Sequence, residues 1–294
     1  MNTVDLHNFA ERAHDYSSLF SYASWTKTLD TGVPSDILNV FKKYDEEWGH
    51  YKELTYLNYL SWVYRYLLKN YRNEYIYKNE LINKYIYKHF GRSTSVAVNE
   101  FRVANAVADL VLFNGESKCF EIKSDLDSPQ RLSNQLDYFQ RIFEQCYILV
   151  PVDTINEYKK IVDDRIGLLT LRYCANGQVS INMERQAMKI EMVDVDVLMC
   201  SVRAAEYRWM VKQAYGKMPD VSDFEMFEAC REQLKHLTSE QLHLLFREAI
   251  KLRKSKVSVL KNVPPIFRQM SLSLNLNDAS LRLLENLSQQ KIVS

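Results

Sequence analysis

At 294 residues and 47% hydrophobic composition, the chain is long enough to bury a sizeable core, as one large domain or two modest ones. Its 38 Lys and Arg stand against 37 Asp and Glu, which excludes a global basic charge of the kind that coats a polyanion, so any nucleic-acid site must be a local patch. Five cysteines without a Cys-x-x-Cys pair, a polar start that carries acids, and no uncharged apolar run of about 20 residues argue against a zinc site, a disulfide framework, a secretory leader and a membrane span; they predict a cytoplasmic protein with reduced thiols.

Residues 1–70 are expected to form a helical N-terminal region. Across 36–70, apolar residues recur every three or four positions, the pattern of a helical pair. Over 73–89, Tyr75, Leu81, Ile82, Tyr85 and Ile86 make the apolar stripe of a further helix, with Gly91 as its stop. The periodicity then changes. Runs at 96–104, 108–113, 117–123 and 146–152 are short and rich in valine, isoleucine and aromatics, as strands are. A helix over 128–143 separates the third from the fourth, with Ser128 as cap and Pro129 in its first turn. Residues 167–183 add two strands around the hairpin dipeptide Asn176-Gly177. Helical patterns return at 195–215, 222–237 and 238–256, the last opened by a Thr238 and Gln241 capping box. The serine- and asparagine-rich stretch 263–278, with Pro264-Pro265, reads as a loop before a short terminal helix. The expected organisation is a helical region over 1–70, a core over 71–186 and a helical region over 187–294.

The third strand carries Phe120-Glu121-Ile122-Lys123. Side chains alternate along a strand, so Glu121 and Lys123 share a face. The preceding strand holds one acid, Asp109. It shares that face only if 109 registers with 121 and 113 with 117, which requires a three-residue connection at Asn114 to Glu116. The two β-carbons then lie about 5 Å apart. Like charges so close on apolar strands are costly unless a cation joins them. Two carboxylates and a backbone carbonyl such as that of Ile122 form a half-shell of hard oxygens suited to Mg²⁺, beside which Lys123 can orient or help deprotonate a water.

Asp109 followed by Glu121-Ile122-Lys123, in the order helix-strand-strand-strand-helix-strand, resembles the PD-(D/E)XK nuclease superfamily, which includes restriction endonucleases and archaeal Holliday-junction resolvases. The resemblance covers roughly residues 71–152. More narrowly, "YRNEYIYKN", "EFRV", "ADLVLFNG" and "EIKSDLDSPQRLSNQLDYF" resemble a group of bacterial and phage-associated members. The first motif reads Ala108-Asp109, without the proline that often precedes the aspartate. The resemblance implies an α/β/α sandwich around a mixed central sheet, restriction-endonuclease-like and flanked by helical N- and C-terminal regions. It implies Mg²⁺- or Mn²⁺-dependent hydrolysis of nucleic-acid phosphodiesters, DNA ahead of RNA with both open, in phage defence or mobile-element maintenance. Asp109 and Glu121 would be metal ligands and Lys123 would stand at the nucleophilic water. Glu74 matches an acid early in the first core helix of the resolvases. Gln135 and Tyr138 approach a Gln-Tyr element found on the helix after the lysine in exonuclease-like members, at a spacing of three where four is usual.

Segment 65–92 interleaves Arg65, Lys69, Arg72, Lys78, Lys84, Lys88 and Arg92 with six tyrosines, a composition suited to tracking phosphates and stacking bases. Lys78, Lys84 and Lys88 are therefore candidate nucleic-acid contacts. Residues 247–261, with Arg247, Lys251, Arg253, Lys254, Lys256 and Lys261, are a second candidate basic patch, for which a solvated helix end is the favoured reading. Glu100 is a further candidate ligand or an ordinary exposed strand acid. A structural ion-pair cluster is the alternative for Asp109, Glu121 and Lys123. Two other functions stay open: a non-catalytic nucleic-acid-binding or repair-associated module, and an adaptor whose C-terminal helices recruit a protein partner or mediate self-association.

Overall fold

In the computed structural model, which describes residues 3–50, 53–90, 95–174, 177–253 and 257–292, six strands form one mixed sheet in sequence order. Strands β1 (Val96–Val103), β2 (Ala106–Phe113) and β3 (Ser117–Ile122) are antiparallel neighbours. The chain then crosses through a helix, so β4 (Gln145–Pro151) and β5 (Gly167–Tyr173) run parallel to β3, and β6 (Val179–Arg185) returns antiparallel. Strands β3 and β4 are buried along their whole length, as strands covered on both faces must be.

Alternation along the strands sorts the core into two layers. Leu110, Leu112, Phe120, Ile122, Tyr147 and Leu149 face one side. Val111, Phe113, Cys119, Cys146, Ile148 and Val150 face the other. The first side is covered by α1 (Thr3–Ser18), α2 (Tyr22–Thr31), α3 (Ser35–Tyr44), α4 (Tyr56–Asn70) and α5 (Glu74–Leu81). Helix α5 continues through a π turn, Ile82–Ile86, into α6 (Tyr87–Phe90). The second side is covered by α7 (Leu132–Gln140), with α8 (Ile155–Ile161), α9 (Val195–Ser201), α10 (Ala204–Tyr215), α11 (Met226–Lys235) and α12 (Ser239–Lys251). The architecture is thus an α/β fold with a mixed central sheet between helical layers, as the sequence predicts.

Four details differ from the sequence reading. Helix α7 starts at Leu132, not Ser128, because Pro129 belongs to a preceding turn closed by Leu132 N–H donating to the Pro129 carbonyl. The π turn interrupts what reads as one continuous helix over 73–89. Residues 268–273 form α13 rather than a loop, because Met270 and Leu272 are buried and outweigh the serines around them. Finally, residues 187–294 do not stay together. After α12 the chain crosses the sheet edge, where Val257 N–H donates to the Ser95 carbonyl. There α13 and α14 (Asp278–Gln289) join the N-terminal layer: Tyr75 donates to the Ile266 carbonyl at 2.6 Å, and Thr55 bridges Lys291. The expectations at Gly91, Arg92, Asn176, Lys254 and Lys256 lie outside the described residues. No helix among the described residues is long and apolar enough to cross a membrane.

Candidate functional site

The hairpin of β2 and β3 sets the site. Phe113 pairs with Ser117 and Leu110 with Phe120, so the connection is Asn114 to Glu116 and the register, continued one step, sets 109 opposite 121. Gly115, at φ 99°, supplies the backbone conformation that this short turn needs. Asp109 Oδ2 accepts a 2.7 Å hydrogen bond from Ile122 N–H, which fixes the carboxylate across the end of the ladder. Glu121 is 2% exposed. Its Oε1 accepts from Lys123 Nζ at 2.9 Å, while its Oε2 is buried without a partner. Burial, with the Asp109 charge beside it, pushes the Glu121 carboxyl up to about 8. Burial also raises Asp109, against the pull of Lys78.

Helix α5 contributes the other side. Asn73 caps it by accepting from Ile76 N–H, which starts the helix with Glu74 in its first turn. One turn on, Lys78 is 2% exposed. Its ammonium lies 2.5 Å from Glu74, 3.3 Å from Asp109 and 3.8 Å from Glu100. Burial works against that charge, but Asp109 and Glu74 outweigh it and hold the lysine protonated. Glu100 interrupts the pairing of β1 with β2 at φ 52°, between the pairs Asn99 with Leu110 and Phe101 with Ala108. A non-glycine residue in the left-handed region is strained, and such strain clusters at functional sites.

The sequence-predicted residues divide accordingly. Asp109, Glu121, Lys123, Glu74 and Gln135 come together, with Gln135 Oε1 accepting from Lys123 Nζ at 3.3 Å. Tyr138 does not join them; its ring lies under the Arg141 guanidinium and its hydroxyl meets Asn105 Nδ2 at 3.4 Å. Lys78 is corrected from a surface phosphate contact to a buried partner of three carboxylates. Lys84 and Lys88 are exposed, but further along the helix. The tyrosines of this segment are packed rather than presented for stacking: Tyr75 and Tyr77 hydrogen-bond to Ile266 and Asp125, and Tyr85 meets Phe120 edge-on. The second basic run is largely paired, Arg247 with buried Glu144, Lys251 with Glu248 and Arg253 with Glu206. The inward turn of Lys78 has one sequence signal, its i,i+4 spacing from Glu74.

Four carboxylates, Glu74, Glu100, Asp109 and Glu121, thus face two ammonium groups, Lys78 and Lys123. Among the described residues no three His, Cys, Asp or Glu side chains form a ready-made metal cage. The donor set instead fits Mg²⁺, which keeps waters and takes one or two carboxylates. Glu121 Oε2, buried without a partner, is the carboxylate oxygen of this pair that nothing in the fold engages.

In a solved protein of unknown function from Silicibacter pomeroyi, 14% identical and with a TM-score of 0.32, the match covers 50% of this chain and 94% of that one. Protein cII of Enterobacteria phage P4 is 38% identical over 88 residues, 29% of this chain and 33% of that protein, so the match spans about a third of the relative's length. The family model of bacteriophage P4 protein cII matches residues 68–278, a stretch running from the end of α4 to the start of α14 and including every strand and all of the clustered carboxylates. The chain therefore belongs to the bacteriophage P4 cII protein family.

Proposed function

We propose that this protein is a PD-(D/E)XK-type nuclease that hydrolyses nucleic-acid phosphodiesters, DNA foremost, with Mg²⁺ or Mn²⁺. The observation that carries the reading is the pairing of Asp109 and Glu121 on adjacent strands, with a buried, unpartnered carboxylate oxygen and a lysine at the same point. A divalent cation bound there would supply Lewis-acid chemistry and lower the pKa of its water.

The chain's own residues do the rest. Asp109 and Glu121 would hold the cation, Asp109 oriented by the Ile122 N–H and Glu121 by Lys123. Lys123, steadied by Gln135, carries its proton at the point where a water or a phosphate oxygen would be met, and offers positive charge to a developing negative one. Glu74 holds Lys78 in place by its i,i+4 ion pair, and Lys78 neutralises Asp109 from the helix side. Because carboxylates outnumber ammonium groups here, a phosphodiester approaching without a cation is repelled, so cation binding favours substrate entry. Membership of a family named after a bacteriophage protein fits a setting in phage defence or mobile-element maintenance. The test is incubation with supercoiled, linear and single-stranded DNA and with RNA, in Mg²⁺, Mn²⁺ or EDTA. Cleavage that needs a divalent cation and disappears in Glu121→Gln supports the reading; no cleavage of any polymer under any of these conditions overturns it.

A further inference from the structure

Beside the carboxylates lies a cavity of about 320 Å³, lined in part by Glu74, Lys78 and Glu100. It opens between α2, β1 and α13, elements from opposite ends of the chain. One wall is aromatic. Tyr22, the first residue of α2, stands at it 61% exposed, with Phe20 and Tyr75 also lining it. Tyr22 takes part in no hydrogen bond or ring pair among the described residues, so nothing in the fold accounts for an exposed aromatic there.

Asn99, Gln269 and Ser273 add polar groups to the lining. Asn99 Nδ2 donates to the Gln269 carbonyl at 3.1 Å and to Ser273 Oγ at 2.9 Å, and Gln269 Nε2 donates to the same hydroxyl at 3.0 Å. With two donors already on its oxygen, the Ser273 hydroxyl has its own proton to give. Asn99 Oδ1 is buried and accepts from nothing. A buried acceptor without a partner is costly, and such groups are few in folded proteins. Asn99 Oδ1, with no accessible surface, is closed to the cavity, which offers instead one free donor, the Ser273 hydroxyl, and an exposed aromatic ring, next to the carboxylate cluster.

A nucleobase has the chemistry this cavity lacks: a flat face that stacks on an aromatic side chain, and an edge with acceptors for the Ser273 hydroxyl. The volume lies at the lower end of small-molecule sites, which suits one nucleoside and not a base pair. We infer that this cavity receives a single unpaired nucleobase of the substrate strand, stacked on Tyr22 and hydrogen-bonded by the Ser273 hydroxyl, adjacent to the phosphate that the carboxylate site acts on. The identity of the ligand as a nucleic acid rests on the nuclease reading above. The inference adds that the strand is unpaired at the nucleotide beside the scissile bond.

The experiment measures binding of the full chain to fluorescent oligonucleotides in Ca²⁺, by anisotropy, for a single strand, a blunt duplex of the same sequence, and single strands with one abasic position moved stepwise along. Wild type should bind the single strand at least about tenfold more tightly than the duplex, and one abasic position should weaken binding about tenfold, the size of a lost base stack. Tyr22→Ala should lose the same factor and become insensitive to the abasic position, while Tyr22→Phe should behave as wild type. Tyr22 is exposed, so its loss leaves the core packing intact. Equal affinity for both polymers, with Tyr22→Ala unchanged, overturns the inference, and so does failure to bind any oligonucleotide. The two readings separate cleanly. Metal-dependent cleavage without any Tyr22 effect leaves the nuclease standing and removes the base pocket. Tyr22-dependent binding of single strands without cleavage under any metal does the opposite.

Discussion

The ammonium of Lys78, on α5, stands 3.3 Å from Oδ1 of Asp109, on β2, while the Asp109 Oδ2 accepts from the backbone of β3. One carboxylate therefore ties the helical layer to the hairpin, and Lys78 holds positive charge where a cation would be attracted. The Lys78→Met variant should lose about 3 kcal/mol of stability in EDTA, because it leaves the buried Asp109 without that neutralisation. It should also need less Mg²⁺ for half-maximal stabilisation, since a competing charge is gone. Thermal melts across a Mg²⁺ titration read both effects; an unchanged midpoint concentration would show that Lys78 and the cation do not compete.

The raised Glu121 carboxyl makes a pH prediction whose sign is fixed by linkage. The folded-state pKa of about 8 lies above the ordinary carboxylate value, so between them the native state binds more protons than the unfolded one. Its contribution to stability is present below about pH 4.5 and is lost as pH rises towards 8, with a slope of at most about 1.4 kcal/mol per pH unit. Urea unfolding in EDTA from pH 5 to 8 should show this fall in wild type and a flatter profile in Glu121→Gln. Parallel profiles would mean that Glu121 is already ionised across the range.

Lys123 is expected to act on rate rather than on the cation. It donates to Glu121 and Gln135 from a strand end whose backbone is held by Leu149. Lys123→Ala should keep the Mg²⁺-induced rise in melting temperature and lower the cleavage rate by about 10²-fold or more, the scale of a positioned acid–base or electrostatic group. A loss of the thermal response would instead make Lys123 part of what organises the carboxylates.

The exposed lysines of the same helix are a separate matter. Lys88 lies about 15 Å beyond Lys78 along the axis, at 1.5 Å per residue, and points to solvent. If Lys84 and Lys88 contact duplex phosphates, changing both to glutamine should flatten the salt dependence of binding by about 0.9 per lost contact. Catalysis at saturating substrate should not change. A constant slope assigns them to solubility.

How much of this could be read in the sequence depends on how local the determinant is. The register of Asp109 against Glu121 is legible because side-chain parity and a three-residue turn admit few solutions, and Gly115 marks the turn. The α/β/α arrangement is what the resemblance implies, and β3 and β4, buried on both faces, agree with it. Gln135 and Tyr138 are paired in the sequence by the Gln-Tyr element they approach, but Tyr138 lies nearly a turn further along α7 and meets Asn105 instead of the site. Lys78 reads as one of many surface lysines. Its burial is decided by which face of α5 docks beneath β1, a tertiary fact with only the Glu74 spacing as a local trace. The return of residues 257–292 to the N-terminal layer leaves no local signature either, since an apolar stripe does not say which face of the sheet it will cover.

The measurement that bears most directly on the central claim compares wild type with Glu121→Gln, each in EDTA and in Mg²⁺, recording melting temperature and DNA cleavage on the same preparations. Removing one of two repelling carboxylates should leave the apo protein as stable or more so, whereas the cation stabilises only a site that can bind it. The account predicts that wild type gains melting temperature and cleaves DNA in Mg²⁺, and that Glu121→Gln melts no lower in EDTA, shows no Mg²⁺ response and does not cleave. A Glu121→Gln protein that unfolds in EDTA, beside a wild type indifferent to metal, would make Glu121 and Lys123 a structural ion pair and contradict the nuclease assignment.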